Sequence, residues 1–182
     1  VVIARFHRKF IDANRSSGCA FTDSHAQPFY DEYHNRISGY INQLLVQNGN
    51  RGFLFDIHGF TEQEHDNADI ALGTANGDSL QPGFNRANIF MQHGLHGLLK
   101  WARHRTLPIP SIFKYRVSPI DEAATEIGRL NGGFTIRKYS ADINCIQIEI
   151  ANTLRDDQAK RKFLIEDLAF ATINFVRRYA AF

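Results

Sequence analysis

The sequence predicts a three-layer α/β domain built on a mostly parallel mixed sheet. Three observations carry that expectation. Phe53–Phe55 and Cys145–Ile150 are short apolar runs with the length and flanks of buried strands. The segments after Ser24, Asn85 and Asp156 instead repeat apolar residues at helical spacing. Finally, the two kinds of segment alternate, in the expected order β-α-β-α-β-β-α, and such alternation covers a sheet with helices on both faces.

The 182 residues are expected to form a single domain over 1–182. A chain of this length buries roughly 70% of its unfolded surface, so its core needs no disulfide staple. Hydrophobic residues make up 43% and charged residues 22%, and the 15 Phe are taken as core. A net charge of +2 is too mild to argue for nucleic acid or an acidic membrane. There is no run of about 18 apolar residues, so no membrane span is expected. Two cysteines, Cys19 and Cys145, fit a reducing, cytoplasmic compartment. Val1-Val2-Ile3 opens directly in a strand-like run, so the domain is expected to lack an N-terminal segment.

In chain order, Val1–Ile11 is predicted as a strand ending in a basic turn, and Asp12–Gly18 as a loop. Ser24 is a plausible N-cap for a long helix. Its face would be Phe29, Tyr33, Ile37, Tyr40, Ile41, Leu44 and Leu45, with Gly49 in the left-handed position past its end. The strand at Phe53 follows. Thr61–Pro82, rich in Gly, Asn and Asp, is predicted as a long loop or short hairpin. Asn85–Arg105 is predicted as a helix weakened by Gly94 and Gly97 and stopped by Leu107-Pro-Ile-Pro110. A short helix is expected over Asp121–Leu130, then strands at Phe134–Tyr139 and Cys145–Ile150. The terminal helix, capped by Asp156 or Asp157, would pack through Leu164, Leu168, Ala171, Phe175 and Tyr179.

The residues that could carry chemistry cluster near strand ends. The Phe53 strand delivers Asp56 and His58 at its C-terminal end, where ligands bind in open α/β sheets. An imidazole there can hold a metal with a nearby acid orienting it, or can simply hydrogen-bond in a turn. Glu149 alternates with Ile146, Ile148 and Ile150. It is either the wet face of an edge strand or a general base. Asn14-Arg15 suits a substrate carboxylate through the guanidinium fork, with Arg8 and Arg137 as weaker candidates. A turn capped by Asp12 is the alternative. His93 and His96 have chelating spacing but are assigned to packing. His65 is a chance neighbour in a polar loop. A thiol nucleophile is a poor choice, because neither cysteine has a fixed His partner.

Three segments in one order, RKFIDANR (Arg8–Arg15), FDIHGF (Phe55–Phe60) and IQIEI (Ile146–Ile150), together resemble the N-formylglutamate amidohydrolase family. That family is similar in fold to the zinc carboxypeptidases, so the resemblance implies a phosphorylase/hydrolase-like, zinc carboxypeptidase-like architecture. The matching residues are Arg8 with Asp12-Ala13-Asn14-Arg15, Asp56-Ile57-His58, Gly132-Gly133 and Gln147-Ile148-Glu149. The match spans about residues 1 to 155.

The resemblance implies that His58 is a zinc ligand and that Glu149 is the catalytic base and acid. Asn14, Arg15 and Arg8 would bind the substrate carboxylate, and Gly73-Thr74 would lie in a loop by the site. The remaining zinc ligands are expected upstream of Val1, with Glu62, His65 or His25 as local substitutes. The expected activity is hydrolysis of a small N-acylated acidic amino acid such as N-formylglutamate. Two alternatives stay open: a zinc carboxypeptidase acting on peptides, and a non-catalytic domain that binds acidic ligands.

Overall fold

The computed structural model describes residues 1–49, 51–61, 67–100 and 115–179. Its centre is a four-stranded sheet in the order β1-β4-β2-β3. The strands are β1 (Phe53–Phe60), β2 (Ile70–Gly73), β3 (Val117–Ser118) and β4 (Asn144–Ala151). β1 runs parallel to β4 and β2 parallel to β3, while β2 runs antiparallel to β4. The sheet is therefore mixed with two of its three pairings parallel, as the sequence predicts.

The helices are α1 (Ser17–Ala20), α2 (Gln27–Gln47), α3 (Arg86–Phe90), α4 (Leu95–Lys100), α5 (Phe134–Tyr139), α6 (Asn152–Arg155) and α7 (Gln158–Tyr179). They divide between the two faces because successive strand side chains point to opposite sides. Ile146, Ile148 and Ile150 of β4, with Ile70 and Leu72 of β2, bury against Leu95 and Leu99 of α4 and Leu164, Ala171 and Phe175 of α7. On the other side, Cys145 and Leu54 pack with Ile37 and Ile41 of α2 and Ile136 and Tyr139 of α5. Ile146 and Ile148 are fully buried, and removing such a side chain to Ala typically costs 2–5 kcal/mol.

Several elements depart from the sequence reading. Residues 1–11 form no strand. A turn closes there instead, with Phe10 N and Ile11 N donating to His7 O and Lys9 N to His7 Nδ1. The broken alternation of Arg5, His7, Arg8 and Lys9 left no apolar face to bury. Inside the segment predicted as a polar loop, Ile70–Gly73 is a fully buried inner strand. Four residues between polar flanks are too short for periodicity to register.

The predicted helix over 85–105 is two short helices broken at Met91–Gly94. Its part beyond Lys100, with Leu107-Pro-Ile-Pro110, lies outside the described residues. Residues 121–130 are turns rather than a helix, opened by Asp121 Oδ1 accepting from Ala123 N and Ala124 N. Phe134–Tyr139 is a helix rather than a strand, since Ile136 and Tyr139, three apart, both reach the α2-side core.

The long helix α2 is preceded by a short 3-10 turn (Ser24–Ala26) whose cap is Asp23, and Gly49 beyond it is left-handed as predicted. The buried stripe of α2 is Tyr30, His34, Ile37 and Ile41, whereas Phe29 and Tyr40 are exposed. Asp157 caps α7 by accepting from Ala159 N and Lys160 N.

Candidate active site at the ends of β1 and β4

The parallel register sets Asp56 beside Gln147 and His58 beside Glu149. Residues two apart on a strand share a face, so these four side chains form one polar patch toward the C-terminal ends of β1 and β4. On the far side of β4 the positions opposite Glu149 and Gln147 are Ala71 and Gly73. Their small size leaves the patch uncovered from that strand. Gly73 itself lies so close to Leu130 O and Gly132 N that a side chain there would overlap backbone.

The patch is mostly dry. Glu149 is 7% exposed, and Gln147 and Asp56 are also buried. Gln147 links the patch to the Gly132-Gly133 turn. Its Oε1 accepts from Gly133 N, and its Nε2 donates to Glu149 Oε1 at 2.6 Å. That fixes one carboxylate oxygen and, among the described residues, leaves Glu149 Oε2 buried without a hydrogen-bond partner. His58 Nε2 approaches Asp56 Oδ2 at 2.8 Å. This is an ion-pair contact rather than an aligned hydrogen bond, and among the described residues Asp56 Oδ2 is a second buried oxygen without a hydrogen-bond partner.

These contacts shift both titrations. Burial works against a charged His58, but its contact with Asp56 and the charges of Asp56 and Glu149 outweigh it and raise its pKa. Burial is also the main influence on Glu149 and raises its carboxyl, with His58 and Gln147 acting in the opposite direction. The charge of Arg8 reaches both groups.

The segment at 12–15 closes over this patch. Asn14 Nδ2 lies 3.5 Å from His58 Nε2, while Asn14 Oδ1 accepts from Thr135 N at the start of α5. Gly133 makes the approach possible, since a Cβ there would overlap the Asn14 amide. Buried Asp12 takes Arg8 Nε at 3.0 Å and Arg15 Nε at 2.9 Å, with Asn14 N on its other oxygen. Both guanidiniums remain largely in solvent, 69% and 61% exposed.

Of the sequence-selected residues, then, His58, Glu149 and Asn14 come together directly, and Arg8 and Arg15 share Asp12 at the rim. Gly73 sits on the inner strand. Thr74 follows it but is buried, its hydroxyl donating to Glu126 and accepting from Gly77 N. His96 is buried in α4 while His93 is exposed, so the two form no pair. His25 is exposed beside Asp23, and Glu62 and His65 lie outside the described residues.

Two supporting residues escaped the sequence reading. His34 spans from Ala13 O, to which Nε2 donates at 3.1 Å, to the Tyr139 hydroxyl at 2.9 Å, and so pins the 12–15 segment to α2 and α5. Its signal was present: it falls between Tyr30 and Ile37 on the stripe that α2 buries. Glu126 accepts from Thr74 N at 2.8 Å and Asn76 N at 2.9 Å, with Arg86 Nε 3.5 Å away. It holds the loop after β2, where Ala75 and Asn76 have positive φ. Nothing local in the sequence marks it.

No protein-family model matches the sequence, and no curated protein matches it. Among solved structures, the chain is similar to an N-formylglutamate amidohydrolase from Ralstonia eutropha JMP134, with a TM-score of 0.52. The chain has an N-formylglutamate amidohydrolase-like fold. The likeness covers 84% of this chain and 54% of the other at 16% identity, so this chain spans about half the length of that protein. Among the described residues no helix is long and apolar enough to cross a membrane.

Proposed function

We propose that this domain takes part in metal-dependent hydrolysis of an amide bond in a small N-acylated acidic amino acid, N-formylglutamate being the model substrate. The observation that carries the reading is the pairing of His58 with Glu149 across β1 and β4, with one oxygen of Glu149 clamped and the other unpartnered. The amidohydrolase-like fold supports it.

The donor that suits zinc is the His58 imidazole, with Asp56 Oδ2 2.8 Å from its Nε2 and Glu149 across the ladder left as the base. Among the described residues no group of three His, Cys, Asp or Glu side chains is arranged to hold an ion, so His58 would share the metal with ligands outside them. When bound, zinc would supply Lewis acidity that acidifies water and polarises a carbonyl.

The protein's own groups do the rest. Glu149 Oε2 takes a proton from the attacking water and returns it to the leaving amine, a task suited to a carboxyl raised by burial. Gln147 Nε2 keeps Glu149 in place by donating to the Glu149 Oε1. Asn14, Arg15 and Arg8 receive the carboxylate of the substrate, the exposed guanidiniums supplying the fork geometry that carboxylates prefer. The test is hydrolysis of N-formylglutamate by zinc-loaded protein, parent against Glu149→Gln. The variant should lose at least about a hundredfold of the rate, and a variant as active as the parent overturns the reading.

A further inference from the structure

We propose that Arg155 is a positioning residue that locks β1 and β4 in the register that sets His58 opposite Glu149, an inference that rests on the role given to that pair above. The β1–β4 ladder ends at Phe60 and Ala151, and the chain turns into α6 immediately afterwards. Arg155, the last residue of α6, folds back over the end of the ladder. Its Nε donates to Ile150 O at 3.0 Å and its Nη2 to Phe60 O at 3.2 Å. One guanidinium thus holds a carbonyl of each strand. Ile150 follows Glu149 directly, and Phe60 lies two residues beyond His58.

Gly59 makes the contact possible. A Cβ at that position would lie 2.6 Å from the guanidinium carbon and 2.6 Å from Nε of Arg155. Successive residues of a strand face opposite ways, so Gly59 opens toward the face that His58 and Glu149 turn away from. Arg155 therefore sits behind the polar patch and acts on it through the two strands.

The geometry fixes one register. The guanidinium fork is planar and rigid, so its two hydrogen bonds are made together. A slip of one residue moves a strand by about 3.3 Å and turns its side chains to the other face. Hydrogen bonds tolerate a spread of only about 0.5 Å, so a slipped strand carries its carbonyl out of reach. The rest of the corner does not depend on this side chain: Arg161 Nη1 donates to the Arg155 main-chain carbonyl, which any substitution keeps.

The test compares the parent with Arg155→Ala, Arg155→Lys and Gly59→Ala by site-resolved hydrogen exchange. In Arg155→Ala the protected amides at 57–60 and 148–151 should exchange at least about tenfold faster, while those at 53–55 and 144–146 keep their rates. Arg155→Lys keeps the charge without the fork and should behave like Arg155→Ala. Gly59→Ala, which displaces the guanidinium, should do the same and should add nothing in the Arg155→Ala background. In zinc-loaded protein, Arg155→Ala should lower kcat for N-formylglutamate about tenfold and leave KM within about twofold. The exchange readout needs neither metal nor turnover, so it decides on the clamp even where the hydrolytic reading has failed. Uniform acceleration along both strands would mark a plain loss of stability and overturn the proposal. So would parent-like exchange in Arg155→Ala or Arg155→Lys, or an active enzyme whose kcat is indifferent to Arg155→Ala.

Discussion

His58 and Glu149 stand opposite one another in the parallel register of β1 and β4, and Glu149 meets the polar patch with one oxygen held by Gln147 and the other unpartnered. A buried carboxylate in this condition is costly to the fold. Replacing Glu149 by Gln keeps its shape and removes the charge that burial disfavours. Glu149→Gln should therefore unfold in urea at the same denaturant concentration as the parent or a higher one. A markedly lower midpoint would show that the carboxylate serves stability rather than chemistry.

Gln147 behaves in the opposite way. Its amide satisfies Gly133 N and Glu149 Oε1 at once, in a position almost fully buried. Gln147→Leu strands both partners, and an unmade buried hydrogen bond costs about 1–3 kcal/mol each. A loss of about 3 kcal/mol in urea unfolding is expected. A loss under about 0.5 kcal/mol would mean that the two partners find water or each other.

Much of this patch was legible in the sequence because strands fold by a short-range rule. The alternation of CIQIEI fixes which side chains of β4 face the patch, and FDIH does the same for β1. The pairing of His58 with Glu149 is 91 residues apart in sequence and follows only from register, which no local pattern encodes. The errors were also local in cause. Phe134–Tyr139 has strand-forming residues, but Gly133 and the Asn14 cap on Thr135 N start a helix that tertiary packing then completes. Ile70–Gly73 is an inner strand only because β4 and β3 flank it.

Glu126 gives the loop after β2 its shape. Its carboxylate takes Thr74 N, the Thr74 hydroxyl and Asn76 N, and Asn76 Oδ1 accepts in return from Glu126 N. Arg86 lies alongside, its other nitrogens on the carbonyls of Glu122 and Ala124. Glu126→Gln leaves a largely buried guanidinium without its counter-charge, a change worth about 3 kcal/mol. Urea unfolding should show that loss, while Glu122→Gln, exposed and bound through its backbone, should show almost none.

His34 makes the fold sensitive to acid. Burial, aided by the charge of Lys138, lowers its pKa, against the hydrogen bond to Ala13 O and the charges of Asp31 and Asp56. The folded state thus holds the ring neutral at a pH where the unfolded chain, with an ordinary value near 6.5, takes up a proton. The stability this supplies is intact above about pH 6.5 and is lost as the pH falls through the folded value. The loss in urea stability between about pH 7.5 and pH 5 should be smaller in His34→Gln than in the parent. An equal loss in the two proteins would show that His34 does not contribute.

The two thiols should separate cleanly. Cys19 is exposed, while Cys145 is wholly buried in β4 against the α2-side core, its Sγ donating to Ile143 O. Burial, with Asp56 and Asp142 adding to it, pushes the Cys145 thiol up to about 12. The thiolate is the reactive form, so at neutral pH Cys145 is protected twice, by access and by protonation. A disulfide reagent should modify one thiol quickly in the native protein and the second only as the chain unfolds. Because Cys145 pairs with Leu54 in the β1–β4 ladder, that second rate reports opening of the strand pair that carries Asp56, His58, Gln147 and Glu149. Rapid modification of both thiols in native protein would show that this ladder opens without global unfolding, and the dry environment assigned to Glu149 would fall with it.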